Sequence, residues 1–121
     1  MHIEERLRAV APTLFRKRVT GGAYVGEGWV PLLVELCLKL EAIVVALPEE
    51  QRPVVEQVKQ KFGGLRFYLS QTNAEIDDLI DAAESVSVRT CESCGKPGHI
   101  RGGGWWTTLC DDHAAGREVV R

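Results

Sequence analysis

Two ligand-bearing pairs near the end of the chain constrain its fold more than any other feature. Cys91-Glu92-Ser93-Cys94-Gly95 sets two thiols with two residues between them, ahead of a glycine that permits a tight turn with backbone amides aimed at sulfur. Cys110-Asp111-Asp112-His113 follows, and positions i and i+3 of a helix share a face, so Cys110 and His113 can close on the same point. Four such donors complete a tetrahedron around zinc. A disulfide with a spare thiol is the competing pairing, and the histidine at the matching position argues against it. Four protein ligands leave no position for an activated water or a substrate. The spacing therefore predicts one structural zinc held by Cys91, Cys94, Cys110 and His113. His99 lies outside both pairs and is the one rival ligand.

Between the pairs, Gly102-Gly103-Gly104 separates His99-Ile100-Arg101 from Trp105-Trp106-Thr107-Thr108-Leu109, which reads as two short strands around a flexible turn. Residues 109–120 are expected to form a helix, although Gly116 weakens its middle. Knuckle, hairpin and helix together are the plan of a treble-clef zinc finger. So small a module cannot bury both Trp105 and Trp106. One is expected in its core, the other half-exposed or packed on the rest of the protein.

The remainder reads as a small α+β body. The chain has 121 residues, 45% of them hydrophobic and 26% charged, which suits one globular domain small enough for a metal to add noticeably to its stability. Ile3, Leu7, Val10, Leu14 and Phe15 give residues 3–15 a helical stripe, with Pro12 awkward inside it. Residues 30–47 read as the longest helix, with Pro31 in its first turn and Pro48 ending it. Leu32, Leu33, Leu36, Leu40, Ile43, Val44 and Leu47 make its apolar face, and Glu35, Lys39 and Glu41 its wet side. Those charges make the stretch too polar to span a bilayer. Cys37 falls within this helix as a small core residue.

Val54 to Phe62 and Leu65 to Leu69 flank Gly63-Gly64, a hairpin signal because both turn residues tolerate positive φ. Pairing Phe62 with Leu65 sets Val58 opposite Leu69 and leaves Lys59, Lys61, Arg66 and Tyr68 together on the other face. Asn73 caps a predicted helix over 74–87 that buries Ile76, Leu79, Ile80 and Ala83. The fold class is thus α+β, helices packed on a β-hairpin with a C-terminal treble-clef-like zinc finger. The division falls at Ser87–Thr90, giving a helical and hairpin domain over 1–89 and a zinc-finger module over 90–121.

Charge narrows function only partly. The formal net charge of −2 argues against a protein whose main task is gripping nucleic acid. Its distribution is uneven: residues 1–20 hold five basic against two acidic side chains, and residues 71–90 one against five. No secretory signal is visible, so a cytoplasmic location is expected. No nucleophile–base set, phosphate loop or carboxylate pair stands out, and the chain is expected not to be an enzyme. The candidate partner surface is Lys59, Lys61, Arg66 and Tyr68 with Arg101, Trp105 and Trp106. A protein partner is the first expectation, nucleic acid the second, and a small-molecule substrate is not expected. A treble-clef nuclease using His99, with Asp111 or Asp112 helping to hold a metal, is a third.

Gly28-Trp29 before an apolar helix, the run Val58-Lys59-Gln60-Lys61-Phe62-Gly63-Gly64-Leu65-Arg66-Phe67-Tyr68, Ala83-Glu84-Ser85 and the two ligand pairs together resemble a family of small proteins found in bacteriophage, prophage and bacterial genomes. The likeness covers roughly residues 25–115 and leaves out the first twenty. It implies a phage or mobile-element context, an accessory or anti-defence role toward a host or phage protein among the options, and no common activity.

Overall fold

The computed structural model describes residues 2–120. Helix α1 spans Ile3–Val10 and strand β1 Ala23–Tyr24; helix α2 spans Val30–Ala46. Strands β2 (Val55–Lys61) and β3 (Gly64–Leu69) then lead to helix α3 (Ala74–Ser87), and strands β4 (His99–Arg101) and β5 (Thr107–Leu109) close the chain's regular structure. β1, β2 and β3 form one sheet in that order, β1 parallel and β3 antiparallel to β2, while β4 and β5 pair with each other. The architecture is α+β, as expected.

The apolar stripe over 3–15 survives, but not as one helix. α1 stops at Val10, because the residue before a proline is pushed out of the helical region, and Ala11 sits at φ −139°. The chain turns on through Pro12, and Leu7, Ala11, Leu14 and Phe15 are all buried. Glu41, assigned to the wet side of α2, instead accepts from the Thr13 and Leu14 amides at 2.9 Å each. It satisfies donors that Pro12's turn leaves unpaired. Leu33, Leu36, Cys37, Leu40 and Val44 of α2 enter the core with Val58, Leu65 and Phe67 of the sheet and Ile76, Ile80 and Ala83 of α3. α3 begins where Asn73 accepts from the Ile76 amide at 2.9 Å. It ends on Ser87, whose hydroxyl accepts from the Leu65 amide at 2.9 Å and so ties the helix to β3.

The hairpin register departs from the expectation by two residues. Val58 pairs with Phe67 and Lys61 with Gly64, so Phe62 and Gly63 make the turn, at φ 54° and 83°. A slip of two preserves which side chains face inward, so alternation alone cannot distinguish the registers. Packing decides: a β-carbon on Gly63 would stand 3.0 Å from Ile100, and the Thr108 hydroxyl donates to the Gly63 carbonyl at 2.6 Å. Phe62, expected on the apolar face, is 65% exposed.

The predicted helix over 109–120 does not form. A single 3-10 turn, Asp111–His113, follows β5, and Ala115 and Gly116 take positive φ. The chain then doubles back so that Val119 bridges Arg101 and the Val120 amide donates to the Ile100 carbonyl at 2.8 Å. The Cys91–Cys94 turn and the β4–β5 hairpin form, but the helix that the treble-clef expectation required is replaced by this return. No helix among the described residues is long and apolar enough to cross a membrane.

Candidate metal centre

The Cys91–Cys94 turn is built by its own backbone. The Cys91 amide donates to Lys96 and the Gly95 amide to Cys91, each at 2.8 Å, with Gly95 at φ 83° where a side chain would be strained. Thr90 bridges Pro97 and holds the loop's base. Cys110 and His113 follow β5, whose last residue Leu109 pairs with His99 at the start of β4, so they return to the end of the hairpin that the knuckle enters. The 3-10 turn has three residues per turn, so positions i and i+3 overlie one another as well as they would on the expected α-helix.

The four donor atoms lie within 4.8 Å of one another. Cys94 Sγ is 3.7 Å from Cys110 Sγ, and His113 Nδ1 is 3.2 Å from Cys110 Sγ and 3.9 Å from Cys91 Sγ. Tetrahedral zinc with Zn–S near 2.3 Å and Zn–N near 2.0 Å sets sulfurs about 3.8 Å apart and sulfur to nitrogen about 3.6 Å apart. The spacings bracket those values, and 3.7 Å is far too long for a disulfide. The donor set fits one zinc ion.

Local electrostatics suit a thiolate at Cys91, whereas at Cys94 the Lys96 amide is outweighed by desolvation and the neighbouring Cys110 and Cys91 sulfurs, which raise its thiol. Burial alone would raise the Cys91 thiol, but the amides of Cys110, Cys94 and Ser93 and the Cys94 side chain outweigh it and bring it down to about 6. Cys91 and Cys110 are buried, whereas Cys94 and His113 lie on the surface.

The centre is joined to the larger body at two places. The Gly28 amide donates to the Glu92 carbonyl at 2.8 Å, the Gly26 amide to the Glu92 carboxylate at 3.0 Å, and the Trp29 indole to the Thr90 carbonyl at 2.8 Å. On the hairpin side, Gln60 donates to the Trp106 carbonyl at 2.9 Å, and the Phe62 and Trp106 rings meet edge to face with centroids 6.3 Å apart. Gly28 and Phe62 were named from sequence only as parts of a resemblance and a hairpin, not as residues of the site. A glycine before a tryptophan carries no signal for what will press on it.

The surface residues separate into two groups. Lys59, Lys61, Arg66 and Tyr68 share the outer face of the sheet, and Tyr24, in register with Lys59 on β1, joins them. A two-residue strand has no periodicity from which Tyr24 could have been found. Arg101 leaves the surface group: it is 5% exposed, and its guanidinium donates to Leu109, Arg117 and Asp111. Neither Trp105 nor Trp106 occupies the module core, contrary to expectation. Trp105 is 66% exposed beneath the Arg117 guanidinium, 4.3 Å from the ring centroid, and Trp106 is 46% exposed against Phe62. Cys91, Leu109 and Cys110 already fill that small core. His99 is exposed on β4 and lies outside the donor cluster, as do the exposed Asp111 and Asp112.

No protein-family model matches the chain, and no curated protein or solved structure matches it at a significant level.

Proposed function

We propose that this protein is a small, non-enzymatic binding module whose one zinc ion is structural. The observation that supports it is the four-donor cluster of Cys91, Cys94, Cys110 and His113, which matches tetrahedral zinc. Zinc there would cross-link the knuckle to the end of the β4–β5 hairpin and supply cohesion to a segment with a very small apolar core. Four protein ligands leave no site for a bound water. Function then rests on a surface that the metal helps to hold, presented to another macromolecule. A role in a phage or mobile element, as an accessory or anti-defence factor, belongs to the same reading.

A protein partner and a nucleic acid both suit such a module. Exposed Leu38, Val45 and Val86 on α2 and α3 offer aliphatic surface for the first, and the basic, aromatic sheet face favours the second. Metal analysis of the purified chain is the test of the reading, with one zinc per chain expected. Absence of stoichiometric metal in folded protein would overturn it. Capture with a tagged chain should then retain a macromolecule from host lysate.

A further inference from the structure

Helices α2 and α3 pack on the face of the sheet that buries Val58, Leu65 and Phe67; on the opposite face Gly64 is buried beside Val88, and the other outward side chains are half-buried or exposed. That face, the hairpin tip and the adjoining β4–β5 loop collect aromatic rings. The chain has eight aromatic residues, three Phe, three Trp and two Tyr, and five of them are exposed: Tyr24, Phe62, Tyr68, Trp105 and Trp106. Aromatic side chains are large apolar surfaces that folding ordinarily hides, so this many in water asks for a ligand.

Four of the five form a connected strip. Tyr24 is in register with Lys59 on the neighbouring strand, and Lys59 Nζ lies 5.8 Å from the Tyr68 ring centroid. Two residues along β2, Lys61 Nζ lies 5.6 Å from the Phe62 ring, which meets Trp106. From Gln57, paired with Tyr68, to Phe62 is five residues, about 17 Å of strand. Rings therefore stand at both ends of the strip with ammonium groups between them.

Charge selects the occupant. The outward positions of β2 and β3 beyond the bulge are Gln57, Lys59, Lys61, Gly64, Arg66 and Tyr68, with no carboxylate among them. Arg66 is partly answered by Glu84, whose carboxyl burial raises and the Arg66 charge only partly brings back. Lys59 and Lys61 form no ion pair among the described residues. Exposed rings, with ammonium groups over Tyr68 and Phe62 that no carboxylate answers, fit stacked bases and their phosphates, whereas a protein interface would want the aliphatic surface that lies instead on α2 and α3. We propose that the outer sheet face (Tyr24, Lys59, Lys61 and Tyr68) together with the hairpin tip (Phe62, against Trp106) binds single-stranded nucleic acid by base stacking and phosphate neutralisation. This rests on the reading of the protein as a zinc-held binding module and names the partner of that module.

The test uses the full, zinc-loaded chain with fluorescently labelled oligonucleotides of about twelve nucleotides, one of uridine and one of deoxythymidine, and a duplex of similar length. Anisotropy should rise with one or both single strands more than with the duplex, and the two single strands separate RNA from DNA preference. Lys59→Ala and Lys61→Ala should each reduce the slope of log affinity against log salt by about 0.7. Phe62→Ala and Tyr68→Ala should each weaken binding roughly tenfold without changing that slope. Leu38→Gln, on α2, should leave affinity unchanged. Failure of zinc-loaded, folded protein to bind either single strand at low salt overturns the inference. So does binding that favours duplex or is indifferent to the ring substitutions. Capture of a protein partner by the same face, with no oligonucleotide bound, also overturns it while leaving the binding-module reading intact; folded chain without zinc is the result that removes the reading itself.

Discussion

Gly28 and Gly95 lie flat against one another. A β-carbon at position 28 would stand 2.6 Å from the Gly95 nitrogen, and one at position 95 would stand 3.0 Å from the Gly28 carbonyl oxygen. The entrance to α2 and the knuckle of the candidate metal centre are therefore in backbone contact, at a distance that only residues without side chains permit. Hydrogen bonds from Gly26, Gly28 and Trp29 to Glu92 and Thr90 surround that contact.

Gly28→Ala should be among the most damaging small substitutions in the chain. The atoms it meets are backbone on a constrained loop, so relief requires the knuckle to move, at a cost of about 3 kcal/mol. Gly64→Ala meets the mobile end of Arg66 at 3.1 Å and should cost less than about 1 kcal/mol. Urea denaturation of the two variants makes the comparison, and equal losses would count against the contact as described.

Metal removal should loosen the C-terminal segment and spare the helices. After chelation, or in Cys94→Ser, the amides of Cys91, Glu92 and Gly98 should lose protection from hydrogen exchange while those within α2 keep theirs. Trp105 and Trp106 are already exposed, so their emission is a poor reporter of this change. Trp29, fully buried with its indole bonded to Thr90, is the better one. Unchanged protection in protein shown to be metal-free would contradict this account.

Arg101 and Asp111 form an ion pair at 2.7 Å, but their side chains are 7% and 96% exposed, and the two partners should not be equivalent on substitution. Arg101→Met strands the Leu109 and Arg117 carbonyls it serves and should cost about 1–3 kcal/mol. Asp111→Asn changes a solvated carboxylate and should cost less than about 1 kcal/mol. Thermal unfolding of both variants checks the asymmetry.

Cys37 should resist thiol reagents in the folded protein. Burial, with the Glu41 carboxylate adding to it, pushes its thiol up to about 12, which leaves about one part in ten thousand as thiolate at pH 8. Alkylation followed by mass spectrometry should find Cys37 unmodified until denaturant is added. Early labelling there would show that the α2 core opens far more readily than its packing implies.

The parts of the fold that were legible beforehand are those governed by local rules. α2 and α3 followed from periodicity and their end signals, Pro31, Pro48 and Asn73, because helices answer to contacts within a few residues. The hairpin's existence and its two faces followed from alternation and Gly63. The donor cluster was legible for the same reason, since spacing alone brings Cys91 to Cys94 and Cys110 to His113. The end of α1 at Val10 was only half legible, as Pro12 marked the trouble without showing that Glu41 would cap the turn.

By itself the amino-acid sequence determined the class of the protein, its two main helices and the four residues that converge on one point. Those are consequences of side-chain chemistry at short range. Tertiary structure alone decided the hairpin register, the return of residues 115–120 in place of a helix, and the burial of Arg101. It also decided that Trp105 and Trp106 stay outside the core. Each turns on a contact between segments far apart in the chain, such as Ile100 over Gly63 or Val119 beside Arg101, and no local pattern encodes which distant backbone will arrive. The alignment of Tyr24 with Lys59 is of the same kind, and with it the face on which we expect the protein to act.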